Sequence, residues 1–286
     1  MRFENLRARA QIISAIRRFF DDRDFLEVST SVRIVAPAPE EYIDCPKVES
    51  GGFLRASPEL QMKKFLALGL EKIYQIGPCF RDGEIGSRHN PEFTMIEWYR
   101  RGEDYSVVME DTKLLVTELF ARFLPSEKLS FKVMKVRDAY RDVAGWDPWE
   151  NWNRDRFDYD MATVIEPELK RMGGGVFLTD YPPQCASLAI VNGEGSDAYA
   201  ERWEFYYDGM ELANAYSELC DSFEQKKRFL EAKEARKILN ESDYPIDDEF
   251  LEMVSMIGKA TGIALGIDRL IMVLLRESEI SSVRFY

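Results

Sequence analysis

Phe80-Arg81-Asp82-Gly83-Glu84-Ile85-Gly86-Ser87-Arg88-His89-Asn90-Pro91-Glu92-Phe93-Thr94-Met95 is the stretch on which the fold turns. Two strand-like runs, 72–81 and 92–101, alternate around a polar loop that contains glycine. The hairpin carries Arg81, Arg88 and the only histidine of the chain, His89. A guanidinium fork pairs with phosphate oxygens and stays charged at any physiological pH, so two arginines on one rigid hairpin suit a polyphosphate. A phenylalanine at the base of the loop offers a flat face to a base such as adenine.

Outward from the hairpin, 286 residues can bury a substantial core, as one large domain or one domain with an insertion. No apolar run is long enough to span a bilayer, and the N-terminal residues lack a signal-peptide core. Four cysteines, Cys45, Cys79, Cys185 and Cys220, show neither zinc-site nor disulfide spacing, which points to a reducing cytoplasm. A formal charge of −13 argues against a broad nucleic-acid-binding face.

Asn5 reads as the cap of a first helix with Ile12, Ile16, Phe19 and Phe20 at helical spacing. Ser57 reads as the cap of a second helix, with Pro58 at its first position and Gly69 at its end. A third helix is expected from about Ser106 to Phe123. The stretch 130–180 reads as a small helical insertion. Strands are expected at Val176–Asp180, Cys185–Val191 and Glu204–Ala213. Ser222-Phe223-Glu224-Gln225 matches a capping box and opens a charged helix to about Leu239. Another helix starts near Asp247 or Asp248, and the apolar strand Gly262–Gly266 leads into the helix Ile267–Leu275. Hairpin-linked strands with helices at both ends of the sequence give an α+β class, an antiparallel sheet flanked by helices.

Glu211 and Glu218 can face one site if the strand ending near Ala213 bends, and two carboxylates beside a triphosphate suit magnesium. Arg269 sits one turn into an apolar helix, so its charge needs a partner or a polar cavity.

In this order the pieces resemble a known family. Phe80–Glu97 resembles motif 2 of class II aminoacyl-tRNA synthetases. Gly262-Ile263-Ala264-Leu265-Gly266-Ile267-Asp268-Arg269 resembles motif 3, and the first helix with Phe25–Ser29 fills the place of motif 1. Arg88–Met95 and Glu211-Leu212-Ala213-Asn214 look like the lysyl-tRNA synthetase branch. The motif 1 helix begins within the first few residues, so no anticodon-binding domain is expected. A single catalytic domain, 1–286, then resembles the elongation factor P–lysine ligase group. Three details agree: the form of Glu97-Trp98-Tyr99-Arg100, the spacing of Asp221–Gln225, and Ala264 where synthetases usually carry glycine. One position departs: the acid usual two residues after the motif 2 arginine is Gly83 here, followed by Glu84.

The resemblance implies ATP-dependent activation of lysine or β-lysine and transfer to a lysine of elongation factor P. Its alternatives are a truncated synthetase-like enzyme charging tRNA or another acceptor, and an inactive regulatory paralog. It implies Arg81 and Arg269 as catalytic residues. ATP contacts fall on Arg81, Glu84, Arg88, His89, Asn90, Phe93, Glu211, Leu212, Gly266 and Arg269, and magnesium on Glu211 and Glu218. Amino-acid contacts fall on Ser57, Glu59, Glu97, Tyr99, Asn214, Glu218 and Ala264. It also implies a homodimer, with the neighbourhood of Ile12, Ile16 and Phe19 or the adjacent strand in the interface, and no role for tRNA or a membrane.

Overall fold

A computed structural model describes residues 3–284. Helix α1 (Phe3–Asp21) turns Ile12, Ile16, Phe19 and Phe20 inward, as their spacing requires. Asn5 does not cap it. This residue lies within the first turn, and its amide donates to Glu277 and to the Ser282 carbonyl. Short strands β1 (Leu26–Glu27), β2 (Arg33–Ile34) and β3 (Phe53–Leu54) precede helix α2 (Glu59–Ala67). The Ser57 hydroxyl accepts the Glu59 N–H at 2.9 Å, so the capping interaction comes from one residue before Pro58. Strands β4 (Lys72–Phe80) and β5 (Glu92–Arg101) form the expected antiparallel hairpin, with Lys72 opposite Arg100 and Phe80 opposite Glu92. Helix α3 (Tyr105–Phe123) starts at the Asp104 cap.

The stretch 130–180 is helical only in its middle. Strand β6 (Phe131–Lys135) begins it, helices α4 (Val136–Ala139), α5 (Arg154–Asp160) and α6 (Glu166–Met172) follow, and strand β7 (Gly175–Tyr181) ends it. β6 and β7 pair in parallel, which demands a long crossover, and the helices supply it. Beyond lie β8 (Val191–Asn192), β9 (Tyr199–Tyr207) and β10 (Met210–Ser217). The expected strand Glu204–Ala213 is in fact a hairpin: Asp208 and Gly209 both take positive φ, 48° and 72°, and reverse the chain. The expected strand Cys185–Val191 is mostly turn, because Pro182 and Pro183 start a 3₁₀ turn there. Asp221, not Ser222, caps α7 (Ser222–Ile238), accepting the N–H groups of Phe223 and Glu224. Helix α8 (Asp248–Val254) starts at Asp247, and β11 (Ala260–Gly266) runs into α9 (Ile267–Leu275).

The chain divides into two compact units. The first comprises the residues up to Glu103, Leu219–Ala260 and those from Ala264; the second comprises Asp104–Glu218 and Thr261–Ile263. In the first, β1 pairs with β4 in parallel and β4 with β5 antiparallel. In the second, β10, β9 and β7 are neighbours in antiparallel order and β6 adds on in parallel. Both units carry helices beside their strands, an α+β layout with mixed pairing.

The first unit's aromatic core fixes one face of its hairpin. Phe20 meets Phe25, Tyr74 and Trp98 at ring-centroid separations of 5.1, 4.9 and 5.0 Å. Trp98 and its alternate neighbour Ile96 are buried toward this core, so Phe93, Glu97 and Tyr99 point to the other face. Ile12, Ile16 and Phe19 are buried within the chain's own core, at 0–1% exposure, and are not available as an interface. Phe3, Leu6 and Leu26 nearby are exposed. Among the described residues no helix is long and apolar enough to cross a membrane.

Candidate active site

Period-two alternation places Phe93, Met95, Glu97 and Tyr99 on one face of β5, opposite Cys79, Gly77, Gln75 and Ile73 of β4. Glu97 is 1% exposed. Its two oxygens accept from neutral hydroxyls, Ser57 at 2.6 Å and Tyr99 at 2.8 Å. Burial, and after it the negative charge of Glu59, push the Glu97 carboxyl up to about 7, against the pull of the two hydroxyls and of Arg55. Arg55 is itself buried and donates to Thr30 and to the Ser31 carbonyl. Its guanidinium passes over Gly77, where an added Cβ would come within 2.7 Å and would displace the Arg55 side chain. Glu59, in the first turn of α2, pairs with Lys63 at 2.5 Å, and both are buried.

Past the end of β4, the Arg81 guanidinium lies 5.2 Å above the Phe93 ring, and Nη1 comes within 3.5 Å of Glu84. Its Nε is buried without a hydrogen-bond partner. That orphan donor is a physical reason to expect an acceptor from a ligand. Arg269, in the first turn of α9, reaches the same loop: Nη2 lies 2.5 Å from His89 Nε2, and Nε donates to the Arg88 carbonyl at 3.4 Å. A guanidinium can only donate to a neutral imidazole, and burial together with the Arg269 charge holds the His89 pKa below its ordinary value. The Asn90 amide donates to the Glu92 carbonyl. Ala264 and Gly266 are half-buried and alternate with buried Ile263 and Leu265, so they share one face of β11.

The second unit brings Glu211, Leu212, Asn214 and Glu218 together around β10. Glu211 lies opposite Tyr206, but Ala213 lies opposite Phe205, so Leu212 is a bulge. Seven residues apart, Glu211 and Glu218 would sit on opposite faces of a regular strand. The extra residue restores the parity, and Glu211, Asn214 and Tyr216 share the face of Tyr206, Glu204 and Arg202. Glu218 continues that face as the bridge partner of Ala189. The bend expected from sequence is thus a one-residue bulge. Among the described residues, no group of three or more acids, histidines or cysteines converges as a metal cage.

The sequence profile of tRNA synthetases class II (D, K and N) matches residues 2–286. The chain belongs to this family. Among its relatives are proteins named elongation factor P–(R)-beta-lysine ligase. That of Proteus mirabilis (strain HI4320) is 36% identical over 307 residues, covering 98% of this chain and 93% of the relative. That of Histophilus somni (strain 2336) is 35% identical over 311 residues, covering 98% and 94%. That of Yersinia enterocolitica serotype O:8 / biotype 1B is 34% identical over 306 residues, covering 98% and 93%.

Three residues outside the sequence expectations are tied to these clusters by the structure. Lys63 was signalled by its i+4 spacing from Glu59. Arg9 clamps Asp268 at 2.5 Å and Thr94 at 2.8 Å, while Asp268 also accepts the Thr94 N–H. This clamp fixes the positions next to Phe93 and Arg269, and no local pattern announces it. Arg202 donates to Asn214 and Glu204, a cross-strand arrangement visible only once the bulge sets the register.

Proposed function

We propose that this chain activates lysine or β-lysine with ATP as an aminoacyl adenylate and transfers it to a lysine side chain of translation elongation factor P. The observation that carries this reading is Glu97: a buried carboxylate held by neutral hydroxyls, on the hairpin face that leads to Arg81. A fixed carboxylate short of a bonded cation is a seat for a substrate ammonium, and an arginine with a buried, unused Nε–H is a seat for a phosphate oxygen. The relatives' names agree with that substrate and that acceptor.

In the reaction, a carboxylate oxygen of the amino acid attacks the α-phosphorus of ATP and pyrophosphate leaves. Arg81 holds the α-phosphate and the reacting carboxylate, stabilising charge that builds in the transition state. Phe93 carries the adenine, and Arg269 approaches from its other side, with Arg88, His89, Asn90 and Glu84 as further contacts. Gly266 and the Leu212 bulge offer backbone to the nucleotide. The proposed amino-acid contacts are Ser57, Glu59, Glu97, Tyr99 and Ala264 in the first unit and Asn214 and Glu218 in the second. Glu211 and Glu218, brought to one face by the bulge, would hold magnesium as hard oxygen ligands, and the ion would offset phosphate charge. The acceptor amine then attacks the adenylate carbonyl, an amide forms and AMP leaves.

A single catalytic domain, working as a homodimer in the cytoplasm without tRNA, completes the proposal. The exposed Phe3, Leu6 and Leu26 are the apolar surface such a dimer would cover. A concentration-independent monomer mass by light scattering would remove that element. The function itself is tested by mass spectrometry of elongation factor P after incubation with the enzyme, ATP and each lysine isomer. A mass gain of one aminoacyl group on a lysine is expected. Its absence with every isomer, alongside aminoacylation of tRNA, would replace the acceptor.

A further inference from the structure

Lys63 has no role in the chemistry described so far, yet it is 0% exposed. A lysine ammonium is among the costliest groups to bury, and it persists only where an anion holds it. Here Nζ lies 2.5 Å from Glu59 Oε1, one helical turn away on α2. Glu59 stands at the start of the helix, two residues after Ser57, and Ser57 ties the two acids together: its oxygen accepts the Glu59 N–H at 2.9 Å and its hydroxyl donates to Glu97 at 2.6 Å. The two carboxylates of this cluster are therefore not equivalent. Glu59 is engaged by an internal ammonium, whereas Glu97 is held by the hydroxyls of Ser57 and Tyr99.

We propose that Lys63 is a positioning residue that sets the specificity of the amino-acid pocket: by binding Glu59 it leaves Glu97 as the carboxylate that receives a substrate ammonium. The inference rests on the function proposed above. Through Lys63 the field of Glu59 on Glu97 is damped, so Glu97 can ionise when the ammonium arrives. The groups bearing on Glu97 are Glu59 on α2, Ser57 just before it, Tyr99 on β5 and Arg55 just after β3, and Glu97 in turn bears on Cys79 of β4; Lys63 meets this set through its pair with Glu59. Of these, Glu59 is the acid whose charge opposes ionisation of Glu97 most. Lys63 sits directly on that acid.

The experiment follows Glu97 directly. Its titration midpoint is read by carbon-13 NMR of the carboxyl group without substrate, in the wild type and in K63M, K63R, E59Q and the double variant E59Q/K63M. Loss of the ammonium in K63M exposes the full Glu59 charge, so the midpoint should rise by about one pH unit. E59Q removes the opposing charge and should lower it by a similar amount. K63R and the double variant should stay near the wild type, the double because both charges leave together. Should K63M fail to fold, E59Q against the double variant carries the test. Equal midpoints in wild type and E59Q would overturn the proposal.

A second readout links the effect to substrate. In ATP–pyrophosphate exchange at pH 7, K63M should raise KM for the lysine isomer about tenfold while leaving KM for ATP unchanged, since only ammonium binding is weakened. Equal increases in both KM values would assign Lys63 a general structural role and overturn the proposal. If wild-type enzyme shows no exchange with any lysine isomer, the function proposed above fails, while the NMR midpoints still decide the role of Lys63.

Discussion

Glu97 in the first unit and Glu204 in the second are both carboxylates on strands, 1% and 8% exposed, and their partners differ. Glu204 accepts from the Arg202 guanidinium at 2.6 Å and from the Tyr206 hydroxyl at 2.6 Å. Arg202 also donates to Asn214 and to the Cys185 carbonyl. Charge and hydrogen-bonding capacity are met there from within the protein. Glu97 receives two hydroxyls and no bonded guanidinium, and burial raises its pKa. A carboxylate completed by an internal cation holds a fold together. One completed only by neutral donors is strained in its charged form, and the strain is relieved when a ligand brings the cation.

The largest expected effect tests the second half of that comparison. Arg202→Met leaves Glu204 buried without its cation, which typically costs about 3–5 kcal/mol. Urea unfolding should show that loss in the midpoint, with the slope unchanged. A loss below about 1 kcal/mol would mean that water or a rearranged neighbour replaces the arginine, and the contrast with Glu97 would weaken.

Next comes the first unit's own cation. Arg81→Ala and Arg269→Ala should each lower ATP–pyrophosphate exchange by about a hundred- to a thousand-fold, the usual cost of removing one charge-stabilising donor. Arg81→Ala should change thermal stability little, because its Nε is buried and unused. Near wild-type exchange in either variant would break the assignment of these residues to the transition state.

Glu97→Gln sharpens the comparison through pH. The carboxyl is raised from 4.5 to about 7 in the folded protein. Between those values the unfolded chain gives up its proton while the folded one keeps it, so folding loses stability as pH rises, and the loss is complete above about 7. At about 1.4 kcal/mol per unit, the penalty approaches ~3 kcal/mol. Glutamine carries none of it. The stability of Glu97→Gln relative to wild type should therefore improve by about that amount between pH 4.5 and 8, measured by urea unfolding. A pH-independent difference would show that Glu97 is ionised at its ordinary pH and already has its cation.

The sequence made the hairpin legible because alternation, loop polarity and the two arginines all pointed the same way. Parity alone then placed Phe93, Glu97 and Tyr99 on one face. The second unit was harder to read. β6 is short and half-exposed, so its alternation carries little hydrophobic signal, and its parallel partner β7 lies beyond three helices. Positive φ at Asp208 is a turn device that a run of strand-forming residues conceals. The alignment of Glu211 with Glu218 depends on the Leu212 bulge, and a bulge is set by pairing rather than by local composition. Lys63 was hidden for a different reason: on a surface helix an i,i+4 Glu–Lys pair is common, and only burial sets this one apart.

The smallest expected effect concerns Ala264, which asks whether the pocket around Glu97 selects the backbone of its substrate as well as its ammonium. Ala264 is half-buried and shares a face of β11 with Gly266. If its methyl group faces the amino acid, it fills space that the α-amino group of ordinary lysine would need. A β-amino acid carries that nitrogen one carbon along and avoids the methyl. Ala264→Gly should therefore raise activity with α-lysine relative to β-lysine. One methyl group in a pocket is typically worth about 1–3 kcal/mol, so the ratio should move by roughly ten- to two-hundred-fold. If Ala264 only packs against its neighbours, the variant loses stability, since glycine in a strand interior costs about 0.5–1 kcal/mol, and the ratio stays put. Adenylation measured with both isomers, for wild type and variant, separates the two. An unchanged ratio would remove Ala264 from the proposed pocket and leave the proposed selection to Glu97 and its hydroxyls.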